Sequence, residues 1–153
     1  MAVSRGLRRL FEVRSLEEEL SQAALKEALS NLRELETALR TAKERERSGR
    51  RQVTASAGSA DAVDKIAGLE EMRAGSRHAA VLEPRIAEKQ AEVLTKRQQF
   101  LAKRTTRRQA ETIIKKIEDS DAVVAGRRAQ QGLDDWFLSG PGRAGQEREK
   151  PRR

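Results

Sequence analysis

The sequence contains no cysteine and a single histidine, His78. Without cysteine, the chain has no disulfide framework and no thiolate metal site. One histidine leaves almost nothing from which to build a histidine metal site or a hydrolytic triad with a histidine base. A phosphate-cradling loop of the P-loop kind is also missing. We therefore expect a protein that is not an enzyme, with no catalytic residue, metal ligand or cofactor.

Aromatic residues and long apolar runs are scarce as well. The chain has one Trp, three Phe and no Tyr, which is too little bulk for a wide globular core. No apolar run approaches the roughly 18 residues that cross a bilayer. The arginines near the N-terminus are followed by acidic residues and not by an apolar segment, so we expect no signal peptide and a cytosolic protein.

Charged residues make up 37% of the chain and hydrophobic residues another 37%, with Ala, Glu, Arg, Leu and Lys the most common types. This composition is typical of long helices. Disorder is the competing interpretation of such a polar chain. A regular apolar stripe favours helices over most of the length, so the sequence predicts an all-α fold.

Residues 5–47 carry the clearest pattern in the chain. From Ala28 to Ala42 the apolar residues recur in alternating steps of 4 and 3, which is the 3.5-residue period of a coiled coil. Leu20, Ala24 and Ala28 are separated by two steps of 4, a stutter that predicts local unwinding of the supercoil. A second stripe with the same period occupies residues 82–100. We predict that the two stripes form one seam, made of Leu25, Ala28, Leu32, Leu35, Leu39, Leu82, Ile86, Val93 and Phe100.

The small and polar stretch at 54–60 contains Gly58 and predicts a turn between two helices. We expect helix one at about 5–53, helix two at about 61–138 with Asp61 as its N-cap, and a flexible basic tail at 139–153. Gly75, Ser76 and Pro84 predict a break in helix two within 75–84, because proline lacks a backbone N–H and clashes with the preceding turn. The prediction is thus a long antiparallel two-helix coiled-coil hairpin over residues 1–138.

The position of the bend sets the register of the hairpin. A bend near Gly58 places residue i opposite about 116 − i, whereas a bend near Gly75 places it opposite about 150 − i. We prefer the first, in which residues 113–137 project beyond helix one and expose an apolar stripe that ends at Trp136 and Phe137. The alternative is that these residues pack back on the first turns of helix one.

The net charge of +8 is unevenly placed. Residues 1–52 have 12 basic and 9 acidic side chains, residues 53–100 have 7 of each, and residues 101–153 have 13 and 8. Basic ends favour an acidic partner. The basic pairs at 103–104, 107–108 and 127–128 lack the aromatic residues that would stack bases, so we expect no nucleic-acid binding.

The two ends of the chain carry recognisable patterns. The N-terminal end has an apolar-basic run, an acidic pair and a heptad helix, and the C-terminal end has an Arg, Gln and Leu-Asp-Asp pattern: Leu7–Arg14, Glu17, Glu18, Leu25, Ala28, Leu32, Glu36, Leu39; Arg127, Arg128, Gln130, Leu133, Asp134, Asp135. Together these patterns resemble the flagellar export protein FliJ family and its YscO-like relatives in injectisomes. The resemblance covers about residues 5–138.

This resemblance implies a non-enzymatic stalk of the type III export apparatus that builds the bacterial flagellum. Its implied partners are the export ATPase ring, the cytoplasmic domain of the export gate, and export chaperones. The implied location is the cytoplasm at the inner membrane, with membrane contact only through the apparatus. For contact with the ATPase ring the resemblance favours Arg5, Arg8, Arg9, Leu133, Trp136 and Phe137, and for the gate residues 40–51 and 72–82.

Two other functions stay open at this point. If no export partner binds the chain, the sequence favours a generic coiled-coil scaffold or adaptor. A basic coiled coil that binds nucleic acid is the less favoured alternative. Nucleic-acid binding that survives physiological salt would favour the last of these.

Overall fold

The computed structural model describes residues 3–58 and 62–139. It contains two long helices packed against each other, α1 (Arg5–Ala55) and α2 (Ala62–Ser139), with a short 3₁₀ helix at Ser56–Gly58 after α1. No strand occurs within these two described ranges. The predicted all-α two-helix hairpin is confirmed.

Helix α1 begins with a side-chain cap. The hydroxyl Oγ of Ser4 accepts a hydrogen bond of 3.1 Å from the backbone N–H of Leu7. The Ser4 carbonyl accepts two more, from the N–H groups of Leu7 at 3.1 Å and Arg8 at 3.2 Å. Serine is preferred at this position because its oxygen satisfies an N–H that has no partner in the first turn of a helix.

Contacts between residues group the chain into two compact units. The first, called the turn unit here, comprises Arg14–Thr106. The second, called the terminal unit, comprises the described parts of Met1–Val13 and Arg107–Arg153. Both helices contribute to each unit.

Within the turn unit the helices run antiparallel. Three ion pairs join them, and the partner's number falls as the number on α1 rises: Glu17–Lys103 at 3.3 Å, Lys43–Glu83 at 3.0 Å and Arg45–Glu71 at 2.6 Å. Close backbone contacts place Gly75 against Ala42 and Glu46, and Gly49 against Gly68 and Met72. Facing residues therefore obey a register of about 119 − i, three positions from the preferred prediction, and the bend near Gly75 is excluded.

Small residues at heptad spacing hold the two helices close together near the turn. The buried residues Ala42 and Gly49 of α1 and Ser56 of the following 3₁₀ helix are spaced at intervals of seven. On α2 the buried residues Gly68, Gly75 and Leu82 are spaced in the same way. The fading of the large apolar residues after Ala42 therefore marks a change in seam composition and not the end of the seam.

The interior of α2 corrects the expected break at 75–84. The helix is continuous through this segment. Gly75 is buried, and a Cβ atom built on it would lie only 2.6 Å from both the Ala42 carbonyl oxygen and the Glu46 backbone nitrogen. Glycine lowers intrinsic helix stability, but here its missing side chain admits the backbone of α1. The residue that indicated a break is instead a point of close packing.

Pro84 also lies inside α2, on its exposed face. Proline in a helix interior removes the hydrogen bond to the carbonyl four residues earlier, which here belongs to Ala80. Ala80 is exposed as well. Water can therefore solvate that carbonyl, and the helix persists because the buried residues on either side, Ala79, Leu82 and Ile86, stay packed.

The predicted seam residues all lie in the turn unit, and none of them is exposed. Ala28, Leu82 and Ile86 are buried, and Ala42, Ala79 and Leu82 form the core cluster, with Leu35, Ala38 and Leu39 packed against it. The other predicted seam residues are half-buried: Leu25, Leu32, Leu35, Leu39, Val93 and Phe100.

The turn and the tail differ from the prediction in their bounds. Thr54 and Ala55 belong to α1, and Ser56–Gly58 form the 3₁₀ helix, in which the Ser56 hydroxyl donates to the Gln52 carbonyl at 2.7 Å. Ser139 is the last residue of α2. The predicted Asp61 cap and the tail at 140–153 lie outside the described residues.

Candidate functional site

The last turns of α2 expose a group of large apolar side chains, which we call the terminal apolar surface. Its residues are Leu133, Trp136, Phe137 and Leu138, with 55%, 62%, 75% and 75% of their surface exposed. The Trp136 and Phe137 rings meet edge to face, with centroids 5.1 Å apart and an interplanar angle of 78°. Exposed apolar groups of this size on one segment usually mark an interaction surface.

The extent of α1 explains why these side chains stay exposed. Every residue of 122–139 is exposed, so no other described residue covers this length of α2. Earlier in the same unit, Ala110 is buried and Leu7, Phe11, Ile114 and Ile117 are half-buried. The α1 residues of the terminal unit thus cover α2 only as far as about Ile117.

The exposure of these side chains tests the prediction that residues 113–137 project beyond helix one and expose an apolar stripe. Ile113 is 49% exposed, but Ile114 and Ile117 are half-buried, so the uncovered segment starts later than residue 113. Val123 and Val124 are exposed, as expected, at 55% and 41%. The alternative in which Trp136 and Phe137 pack back on the first turns of α1 is wrong.

The residues predicted for ring binding fall into two groups in the terminal unit. Arg5, Arg8 and Arg9 are exposed in the first turns of α1. Trp136 follows Ile117, the last half-buried isoleucine of α2, by 19 residues, which is about 28 Å of helix at 1.5 Å per residue. The fold therefore separates the predicted arginines from the terminal apolar surface instead of bringing them together.

A second surface lies in the turn unit, near the end of α1, and we call it the arginine surface. Arg47, Arg50 and Arg51 line a shallow depression of about 530 Å³ together with Thr54 and Ala55. All five residues are exposed. This surface falls largely within the 40–51 segment that we predicted for the export gate, where six basic residues outnumber two acidic ones.

Two glutamates of α1 partly neutralise the arginine surface. Glu44 accepts a hydrogen bond of 2.7 Å from Arg51, and Glu46 accepts one of 3.0 Å from Arg50. The Arg51 guanidinium, and to a lesser degree Arg47, holds the pKa of Glu44 below its ordinary value. Glu44 is thus held in its charged form. The surface keeps an excess of positive charge, suited to an acidic partner.

An adjoining ion pair fixes this surface to α2. The Arg45 guanidinium donates two hydrogen bonds to the Glu71 carboxylate, at 2.6 Å from Nε and 3.1 Å from Nη2. This pairing lowers the pKa of Glu71 and raises the pKa of Arg45. A two-pronged contact of this kind restricts the orientation of both side chains more than a single hydrogen bond does.

The other part predicted for the gate, residues 72–82, lies on α2. Its residues Met72, Arg73, Ser76 and Arg77 line a depression of about 290 Å³ together with Glu46 and Arg50 of α1. Gly75, Ala79 and Leu82 of the same segment are buried in the helix contact and are not accessible to a partner. Arg73 and Arg77 are exposed and extend the basic surface onto the second helix.

The described residues contain no group of three His, Cys, Asp or Glu side chains arranged to hold a metal ion. His78 is exposed on α2. Neither α1 nor α2, over the residues described, has a stretch long and apolar enough to cross a membrane.

Sequence reasoning missed Leu138 and the small residues of the seam, Gly49, Gly68 and Gly75. Leu138 directly follows the aromatic pair Trp136 and Phe137, so its position in the sequence was the signal that it belongs to the same apolar group. The heptad interval between Gly68 and Gly75, and between Ala42 and Gly49, was the signal for the small residues.

Comparison of the chain with protein families, with curated proteins and with solved structures found no match in any of the three.

Proposed function

We propose that this chain is a non-enzymatic stalk component of the flagellar type III export apparatus, similar to FliJ. It acts in bacterial flagellum biogenesis and motility, at the cytoplasmic face of the inner membrane. There it engages the export ATPase ring and the cytoplasmic domain of the export gate, and it escorts export chaperones. Two kinds of support stand behind the proposal: the residues that resemble the family at both ends of the chain, and the antiparallel two-helix architecture.

The observation that carries the proposal is the terminal apolar surface. The depressions described above are shallow, so we expect function to depend on side chains presented along the two helices or at their ends. Trp136 and Phe137 are large, adjacent and more than half exposed. Aromatic side chains of this kind provide much of the binding energy in protein interfaces. We therefore assign contact with the ATPase ring to this surface.

The experiment measures ATP hydrolysis by the cognate flagellar export ATPase with and without the purified chain. We expect the wild-type chain to bind the ATPase and to stimulate hydrolysis. Replacing Trp136 and Phe137 together by Ala should weaken binding about 30-fold or more, since a single hot-spot residue contributes about 2 kcal/mol or more. Helix content and melting temperature should not change, because neither side chain is buried.

A matched control is Leu94→Ala, which removes an apolar side chain of α2 that is 61% exposed and lies in the turn unit. This variant should bind the ATPase like the wild type. Unchanged binding by the Trp136 and Phe137 variant would remove these residues from the site. If the wild-type chain neither binds nor stimulates the ATPase, the export proposal fails and the scaffold function leads.

The arginine surface is our proposed contact with the export gate. Its excess of basic side chains predicts an acidic face on the gate domain and a rate of association that falls as salt rises. Replacing Arg47 and Arg50 by Glu should reduce binding of the isolated gate domain and leave ATPase binding intact. Equal loss of both activities would indicate a general defect, which excludes this division of the two surfaces.

A further inference from the structure

The exposed segment 122–139 of α2 has its charges on one side only. In the heptad frame that places Gly126 and Leu133 at position a, its four charged residues fall at positions b and c. Positions a, d, e and g, which form the contact face of a coiled coil, carry no charge at all over this length. Those positions hold Ala122, Val123, Ala125, Gly126, Ala129, Gln130, Gly132, Leu133, Trp136, Phe137 and Ser139.

This uncharged face is not explained by packing within the described chain. All eighteen residues of the segment are exposed, including 62% of Trp136. A helix that lies alone in water ordinarily distributes charge around its circumference. An uncharged contact face that continues for about five turns therefore indicates that a second helix covers it.

The sizes of the side chains identify the second helix. At positions a and d, small residues fill the first half of the face (Ala122, Gly126, Ala129) and large ones the second half (Leu133, Trp136). When the face is paired antiparallel with a copy of itself, so that residue i meets 262 − i, Trp136 meets Gly126 and Leu133 meets Ala129. The two-fold axis repeats these layers, so each of these four layers combines one large and one small residue. Ala122 has no partner within the segment, because its facing position, 140, lies outside the described residues.

The flanking e positions fit the same two-fold pairing, in which e residues whose numbers add up to 260 lie beside each other, about 3 Å apart along the helices. Position e places Phe137 beside Val123 of the second copy, and Gln130 beside Gln130 next to the two-fold axis. An amide side chain both donates and accepts hydrogen bonds, so two glutamines can pair with each other. A parallel arrangement would instead stack Trp136 on Trp136 and leave Gly126 facing Gly126, with a gap at one layer and crowding at the other.

We propose that residues 122–139 of α2 pair antiparallel with the same residues of a second copy of this chain. The interface is isologous, because the same face serves both copies. This inference goes beyond the proposed function and does not rest on it. It uses the terminal apolar surface and concerns the purified chain alone.

The size of the interface sets the expected affinity. Trp and Phe side chains bury roughly 150–250 Å² each when fully covered, and two copies of Trp136 and Phe137, together with the leucines and small residues, bring the total to roughly 1,000 Å². That lies at the low end of specific interfaces. We expect a dissociation constant of about 10–100 µM, so the chain changes from monomer to dimer as its concentration rises.

The first test is sedimentation equilibrium on the full chain from about 1 to 500 µM, a range that brackets the expected dissociation constant. The mass should rise from 17.1 kDa toward twice that value. Gly126→Trp and Trp136→Gly should each weaken dimerisation about tenfold or more, whereas the double variant should recover it, because each Trp again meets a Gly. A Cβ atom on Gly126 would have nothing within 4 Å of it, and the residues around it are exposed, so a side chain at this position can extend into solvent in the monomer.

This swap separates specific packing from general apolar adhesion. If the surface were merely adhesive, Gly126→Trp would strengthen association by adding apolar area, and that result would overturn the proposal. A chain that stays monomeric throughout the concentration range would also overturn it and would leave the face to a different partner, such as the ATPase.

A second test reports the orientation. The chain has no cysteine, so Gln130→Cys and Val123→Cys each introduce one thiol at the same heptad position. A short bis-maleimide linker should join two copies of Gln130→Cys, which lie beside the two-fold axis. It should not join two copies of Val123→Cys, whose positions are about 24 Å apart along the helices. Equal cross-linking of both variants would indicate a parallel pair, and cross-linking of neither would exclude the pairing.

Discussion

Adding a single methyl group at Gly75 should destabilise the hairpin, although alanine is the better helix former. A Cβ at this position would lie 2.6 Å from the Ala42 carbonyl oxygen and 2.6 Å from the Glu46 backbone nitrogen, whereas ordinary contacts are 3.4–4 Å. The two helices must therefore separate by about 0.8 Å at this point. Both obstructing atoms belong to the backbone, so no side-chain rotation can relieve the contact.

The magnitude follows from two opposing effects. Overpacking of a tight contact costs about 1–3 kcal/mol, and the short distances here favour the upper part of that range. The change from glycine to alanine inside a helix returns about 1 kcal/mol. We expect Gly75→Ala to lower the free energy of unfolding by about 1–2 kcal/mol. For a chain of this size, the melting temperature falls by roughly 2–8 °C.

The assay is thermal and urea unfolding followed by circular dichroism at a concentration below that of self-association. Gly6→Ala is the matched control, because Gly6 lies in α1 and a Cβ there meets nothing within 4 Å. This control should unfold at the wild-type temperature or above it. A melting temperature of Gly75→Ala above the wild-type value would refute the close backbone contact.

A double variant sharpens the test. A Cβ on Gly49 would collide with the backbone nitrogen of Met72 and would lie 2.5 Å from the Gly68 carbonyl oxygen. Gly49→Ala and Gly75→Ala require the same separation of the same two helices. Once the first substitution has opened the contact, the second should cost less than it does alone, by about 0.5 kcal/mol or more. Full additivity would mean that the two contacts are independent.

Two further predictions concern stability. Pro84→Ala should raise the free energy of unfolding in urea titrations by about 1–3 kcal/mol, because alanine restores the hydrogen bond to the Ala80 carbonyl. A lower free energy of unfolding in this variant would show that the helix needs the proline. Pairing with Arg14 and Lys103 lowers the pKa of Glu17, and pairing with Arg45 lowers the pKa of Glu71. Their contribution is present above the ordinary value of 4.5 and is lost as the pH falls through the lowered pKa values. Replacing Glu17 and Glu71 by Gln should therefore make the melting temperature fall less steeply below about pH 5. If the melting temperature falls as steeply as in the wild type, protonation of these two glutamates is not the cause of the acid destabilisation.

The proposed function and the proposed dimer use overlapping residues, and their tests are independent. Trp136 serves both, since the side chain that we assign to ring contact also forms a layer of the pair. If both proposals hold, the export ATPase and a second copy compete for this face. Adding the ATPase should then shift the dimer toward monomer.

The sequence alone determined the two helices, the position of the turn near Gly58 and the seam that joins the helices. These features follow from the heptad period and from short-range chemistry, which a local stretch of chain carries by itself. The seam residues that we predicted are buried or half-buried in the turn unit. The resemblance to the FliJ family stays a prediction, as do the partners that it implies.

Only the tertiary structure decided what the glycines and the two ends of the chain do. Gly75 indicates a helix break when its own segment is considered alone, and its role changes because Ala42 and Glu46, about thirty residues earlier in the chain, lie against it. The same holds for Trp136, whose exposure depends on where α1 begins and not on its neighbours in sequence. Local patterns specify helices, whereas the role of a small or an apolar residue depends on which distant residue faces it.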